Sequence, residues 1–188
     1  MTIGSANTPS AKRARTNTED VRYTIGNCDL GTVLVARSAS GICAILIGDG
    51  SGALKRELAA QFPDGALVRE DQALRADLDK ILTFIKTPAK GLDLPLHIRG
   101  TPFQRRVWDA LLGVRVGHQI TYAALASRIG EPGAVRAVAN ACAANAIALA
   151  IPCHRVVGSN GALAGYRWGV ERKRLMLEKE AEALAVLS

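Results

Sequence analysis

The sequence predicts a mixed α/β chain in two parts, a small α+β domain over 22–92 followed by a mainly helical domain over 98–188. Three observations predict it. Short β-rich runs occupy 22–48 and give way to helical spacing; a proline- and glycine-bearing connection, KTPAKGLDLPL, follows at 86–96; and two short helical segments beyond it are separated by only a tight glycine turn.

Residues 1–21 are small and polar, with Lys12, Arg13 and Arg15 clustered, and read as a disordered tail. The runs RYTIGN, TVLVAR and ICAILIG, separated by turn-prone CDLG and SASG, have the pattern of an antiparallel meander. Residues 52–62 and 69–86 switch to helical spacing, the latter with Leu74, Leu78, Ile81, Leu82 and Ile85 on one face. After the connection, Thr101 caps a helix that has Pro102 at its first position and Phe103, Val107, Leu111 and Leu112 turned inward. A second helix is expected from Thr121 to Ile129, and a third from Pro132 or Gly133 to about Asn145. Two helices with so short a turn have the helix-turn-helix arrangement. The third is alanine-rich; Val135, Val138, Ala139 and Cys142 form its inward stripe and leave Arg136 and Asn140 outside.

The net charge of +7 is unevenly placed, because residues 1–98 contribute +1 and residues 99–188 contribute +6. A basic C-terminal half points to a polyanion, most simply nucleic acid, against the plainer reading of an arginine-rich solvated surface. No run approaches the roughly 18 apolar residues of a membrane span, and the N-terminus lacks the apolar core of a secretion signal. A soluble cytoplasmic protein is expected. Cys28, Cys43, Cys142 and Cys153 stand far apart without a C-x-x-C pair, and His97, His118 and His154 are scattered. Neither a disulfide framework nor a metal site is suggested.

ALAIPCHRVVGSNGALAGYRWG, at 148–169, carries the chemistry. Pro152 keeps Cys153 out of a helix interior, and an ordinary buried cysteine needs no such setting. A thiol attacks well only as thiolate, and with an unperturbed pKa near ~8.5 it needs a proton acceptor. His154 is adjacent in sequence, but neighbours in an extended segment point to opposite sides, so a bridging water is required if the two do not touch. A carboxylate behind the imidazole would hold its tautomer; Glu171, Glu178 and Glu180 on the terminal helix are the candidates, each with a surface role as the alternative.

I-P-C-H-R-V-V, followed by the Gly165–Tyr166 pair and the terminal E-R-K-R-L-M-L-E-K-E, resembles the active-site signature of the O6-alkylguanine-DNA alkyltransferase family. R-G-T-P-F-Q-R-R-V-W, T-Y-A-A-L-A and A-V-R-A-V-A-N-A-C-A-A-N fall in the family's order and spacing, so the resemblance covers roughly 22–183. The G-Y-R-W-G loop is closest to the family's bacterial adaptive-response branch. The resemblance implies a ribonuclease-H-like N-terminal domain and a winged-helix-like C-terminal domain that repairs DNA by irreversible transfer. The alkyl group of O6-alkylguanine, or less readily of O4-alkylthymine, passes to Cys153 after nucleotide flipping. His154 is then the base acting through water, Glu180 its orienting carboxylate, and Asn145 the brace of the active-site turn.

The same resemblance makes Arg136 the finger that fills the space of the extruded nucleotide. Tyr122 contacts phosphate and helps protonate the departing guanine, and Gln104 and Ser159 are further DNA contacts. Tyr166 packs against the alkyl group, while the backbone at Val156 and Arg167 reads the base edge. Arg167 departs from the serine of several family members, a change expected to alter pocket shape more than chemistry. The implied partner is double-stranded DNA containing alkylated guanine, bound by a monomer without cofactor or metal. A damage sensor of the same fold would have tryptophan in place of Cys153, a helix-turn-helix regulator would leave the P-C-H segment unexplained, and a cysteine hydrolase would leave Arg136 without purpose.

Overall fold

The computed structural model describes residues 20–163 and 165–185; the predicted tail, up to residue 19, lies outside them. Strands β1 (Val21–Cys28), β2 (Gly31–Ser38) and β3 (Gly41–Gly48) form the expected antiparallel meander. Their side chains alternate between two faces. Leu34, Ala36, Ala44 and Leu46 meet Leu54 and Leu58 of helix α1 (Ser51–Gln61) and Phe62 after it. Val33, Val35, Ile45 and Ile47 meet Leu78, Ile81 and Ile85 of α2 (Arg75–Lys86) on the opposite face. With both faces covered, β2 and β3 read as near-continuous apolar runs rather than as an alternation.

The expected helix over 69–86 is shorter than its spacing suggests. Residues 67–69 form β4 (Leu67–Arg69), which adds to β1 in parallel and gives the sheet order β3-β2-β1-β4. Its last two residues, Val68 and Arg69, are exposed, so this edge strand has no apolar alternation to betray it. Backbone pairing, Val21 N to Ala66 O at 2.8 Å and Glu70 N to Tyr23 O at 2.9 Å, holds it instead.

Beyond the connection, α3 (Pro102–Leu112) opens with a complete capping box. Thr101 Oγ1 accepts from Gln104 N at 3.2 Å, and Gln104 Oε1 accepts from Thr101 N at 2.9 Å. Val107, Trp108 and Leu111 are buried, whereas Leu112, expected inside, is exposed at the helix end. Helices α4 (Tyr122–Arg128) and α5 (Val135–Ala143) follow, joined through Gly130 at φ +77°. Trp108 Nε1 donates to Ala141 O at 2.9 Å and fixes α3 against α5. A two-residue parallel pair, β5 (Ile120–Thr121) with β6 (Val156–Val157), precedes the terminal helix α6 (Val170–Ala185).

The connection separates the halves in sequence, yet one apolar cluster runs from Val33 and Ile45 through Ile81 to Leu111, Val138, Ile151 and Met176. Ile45 also exchanges backbone hydrogen bonds with the segment after α5, Ile45 N to Ala146 O at 2.9 Å and Ala148 N to Ile45 O at 3.0 Å. The sheet thereby becomes the platform on which the 145–155 segment is laid. Among the described residues no helix is long and apolar enough to cross a membrane. Ile81→Ala is expected to cost roughly 2–5 kcal/mol by leaving a cavity in the shared core, and Leu112→Ala about 0.5 kcal/mol or less. Urea unfolding of the two variants checks both.

Candidate active site

The segment after α5 is organised by one buried side chain. Asn145 Oδ1 accepts from Ile147 N at 2.8 Å, while Nδ2 donates to Ile151 O at 2.9 Å and to Cys153 Sγ at 3.2 Å. The enclosed turn needs Leu149 at φ +69°, a left-handed conformation that costs a branched residue about 1–2 kcal/mol. Burial of Leu149 and the Asn145 bonds hold it there. After Pro152 the chain makes a single 3-10 turn, Cys153–Arg155. It presents Cys153 to a cavity of about 430 Å³ whose lining includes Tyr122, Cys142, Tyr166 and Arg167.

Cys153 is buried, and its thiol is pushed well up from its ordinary pKa, first by burial and then by Cys142 beside it; Asn145 and Lys173 pull it down. At rest it is protonated. Of the three candidate carboxylates the structure brings in Glu180, while Glu171 and Glu178 pair with Arg174 on the exposed side of α6. Glu180 Oε1 lies 2.8 Å from His154 Nε2, both side chains fully buried. Arg155 adds three contacts to the same carboxylate at 2.8–3.2 Å, and Gly117 N donates to Oε2 at 3.0 Å. Burial alone would raise the Glu180 pKa, but the hydrogen bonds from His154 and Arg155 overcome it and hold the group at about 2.

An ionised Glu180 fixes the tautomer. It can only accept, so His154 Nε2 carries the proton and Nδ1 keeps a free lone pair. Burial lowers the His154 pKa against the opposing pull of Glu180, leaving a neutral imidazole. Its Nδ1 is buried without a hydrogen-bond partner among the described residues, and no direct His154–Cys153 hydrogen bond forms. A proton passing between Cys153 and His154 Nδ1 would therefore need an intervening molecule.

Two functional residues escaped the sequence reading. Arg155 anchors Glu180 and donates through Nη1 to Val114 O at 2.5 Å. Lys173, fully buried, donates to Val156 O at 2.5 Å and Gly165 O at 3.5 Å and stands over the Tyr122 ring. A signal existed: Lys173, Met176, Leu177 and Glu180 recur at i, i+3, i+4 and i+7, so the inward stripe of α6 carries two charges. Arg155 and Lys173 against one carboxylate leave the cluster with excess positive charge, which favours an anion at Cys153.

The remaining predicted residues divide. Tyr122, at the start of α4, reaches Gly165 O at 3.5 Å, and burial, then Cys142 and Cys153, push its hydroxyl up to about 12. Tyr166 lies edge-on to Trp168 with ring centroids 5.2 Å apart, and burial keeps its hydroxyl protonated. Val156 sits in β6 behind the cavity rather than in its lining. Arg136 is exposed near the start of α5, away from the buried Val138, Ala141 and Cys142. Val135, expected inside, is exposed because the buried stripe passes through Ala141 instead. Ser159 is exposed in the turn after β6, and the Gln104 side chain closes the α3 cap. Among the described residues no group of three or more histidine, cysteine or acidic side chains could hold a metal ion.

Comparison with known proteins bears on this arrangement. Residues 102–182 match the family model described as 6-O-methylguanine DNA methyltransferase, DNA binding domain. The inducible methylated-DNA--protein-cysteine methyltransferase of Bacillus subtilis is 40% identical over 123 residues, 65% of this chain and 69% of that protein. The chain belongs to the methylated-DNA--protein-cysteine methyltransferase family. The bifunctional transcriptional activator/DNA repair enzyme Ada of Escherichia coli is 47% identical over 175 residues, 92% of this chain and 49% of Ada. The chain thus spans about half the length of that methyltransferase-family relative. A crystal structure of Mycobacterium tuberculosis OGT in complex with DNA superposes with a TM-score of 0.73 at 30% identity, covering 89% of this chain and 99% of that one.

Within this family fold the Glu180 site makes stability depend on pH with a definite sign. The folded-state value of about 2 lies below the ordinary 4.5, so the stabilisation is complete above about pH 4.5 and is lost as pH falls toward 2. Glu180→Gln is expected to destabilise the protein by on the order of 3 kcal/mol at neutral pH. The gap to wild type should close on acidification. Chemical denaturation at several pH values checks it; a gap independent of pH refutes it.

Proposed function

We propose that this protein repairs DNA by direct reversal, moving the alkyl group of O6-alkylguanine, and less readily of O4-alkylthymine, onto Cys153 in a single turnover. The observation that carries the reading is a protonated thiol facing a cavity with a buried histidine–carboxylate pair behind it, in a chain of this family. The thiol proton passes through a water to His154 Nδ1, and sulfur attacks the alkyl carbon in line. The S–C bond forms, the C–O6 bond breaks, and the departing guanine takes a proton from Tyr122. His154 has gained the thiol's proton and Tyr122 has given one to guanine; return of a proton through water from the imidazolium to the tyrosinate restores both, and the transfer balances without oxidant, reductant or cofactor. The product is a thioether, which water does not cleave, so each molecule acts once.

The base must leave the stack before sulfur can reach it, at a cost of a few kcal/mol that an inserted side chain offsets. Exposed Arg136, on a helix that carries alanine at 137, 139, 141 and 143, fits that task. Small side chains let α5 lie close to DNA, and Gln104 and Ser159 stand as further contacts. In this reading residues 22–92 form a ribonuclease-H-like domain, supported by β1–β4 with helices on both faces. Residues 98–188 form a winged-helix-like one, supported by α3–α5 and the β5–β6 pair.

Incubation with O6-methylguanine duplex DNA should add one methylene to the intact-protein mass, and Cys153→Ser should abolish the gain while DNA binding persists. Label on Cys28, Cys43 or Cys142 would refute the assignment. Arg136→Ala should slow transfer from saturating duplex roughly tenfold or more while leaving single-stranded substrate nearly unaffected. A duplex rate equal to wild type at saturation would show that Arg136 only meets phosphate.

A further inference from the structure

Arg167 lines two cavities at once. One is the Cys153 cavity; the other, about 390 Å³, lies between the halves and includes Phe62, Ile98, Arg99, Trp108 and Asn145 in its lining. Among the described residues no other lines both, although Ala143 lines the first and Ala144 the second. The Arg167 guanidinium is held mainly by a helix of the N-terminal half: Nη2 and Nε donate to Glu57 Oε1 of α1 at 2.6 and 3.0 Å, and Nη1 reaches Ala143 O at 3.5 Å. It also lies 6.0 Å from the Trp168 ring. The two side chains are only 29% and 31% exposed, and two donors of one planar guanidinium on the same carboxylate oxygen restrain it more than a single exposed contact does.

We propose that Arg167, positioned by Glu57, is a partition that sets the length of the alkyl group this site accepts. This rests on the reading of Cys153 as the alkyl acceptor. Each cavity is within the range of about 300–1,000 Å³ usual for small ligands. The Cys153 cavity holds a base and a small substituent, while a longer chain continuing past Arg167 meets a guanidinium that cannot leave without breaking its ion pair. Behind it the second cavity has apolar and aromatic side chains, Phe62, Ile98 and Trp108, that would receive that chain. The selectivity of a pocket in the C-terminal half is thereby set by a carboxylate on a helix of the N-terminal half.

Single-turnover rates on O6-methylguanine and O6-butylguanine in the same duplex test the partition. Glu57→Gln, a residue outside the transfer machinery, should leave methyl transfer within about twofold and raise the butyl-to-methyl ratio about tenfold, the scale on which a pocket discriminates by methylenes. Arg167→Ala should raise the ratio at least as much. Adding Glu57→Gln to Arg167→Ala should raise it no further, because Glu57 acts only through Arg167. An unmoved ratio in Arg167→Ala, or an undiminished Glu57 effect in its absence, overturns the partition. A wild-type protein that transfers neither group overturns the reading of Cys153, and this proposal with it.

Discussion

The ionised carboxylate of Glu180 is the constraint on which the rest of the site depends. A fully buried charge is costly unless every lone pair is satisfied, and here His154, Arg155 and the Gly117 amide together do so. Each of these bonds also ties down an element: the 3-10 turn carrying Cys153, the same turn again through Arg155, and the loop after α3. Gly117 is needed for that loop. At φ +75° it adopts a left-handed backbone, and a Cβ there would lie 2.2 Å from Leu184 on α6. Terminal helix, loop and nucleophile turn are thereby one unit whose rigidity comes from a single negative charge.

That rigidity has an electrostatic consequence. Neutral His154 and protonated Cys153 are the stable resting state, since burial penalises charge on both. In the proposed transfer, the positive charge of Arg155 and Lys173 would lower the cost of a thiolate at Cys153, and Glu180 that of an imidazolium at His154. A buried, protonated thiol is also protected from adventitious oxidation, because the thiolate is the reactive species.

The two halves are coupled more closely than their sequence separation suggests. Ile45 of the sheet pairs with the segment that Asn145 shapes. Arg172 of α6 donates to Leu30 O at 2.6 Å and pairs with Asp49, and Lys179 meets Asp29 at 2.9 Å. These contacts, with the shared apolar cluster, make the N-terminal sheet a support for the active-site turn rather than an appendage.

By itself the sequence determined what repeats locally. The meander, the Thr101 cap, the helix-turn-helix pair and the P-C-H segment all follow from periodicity and backbone chemistry within a few residues, and the order of the motifs identified the family. Which of three glutamates would meet His154 was decided only by packing. Glu171 and Glu178 lie on the outer face of α6 and Glu180 on its inner one, but a carboxylate on an inward stripe has value only if a histidine arrives opposite it. Strand β4 was hidden because an exposed edge is held by backbone bonds and carries no side-chain pattern. The roles of Arg155, the carbonyl partners of Lys173 and the Arg167–Glu57 pair were hidden for a related reason, although the spacing of Lys173 on α6 marked it as inward. The partners of these side chains are backbone carbonyls or a carboxylate up to 110 residues away, and proximity of that kind exists only after the chain has folded.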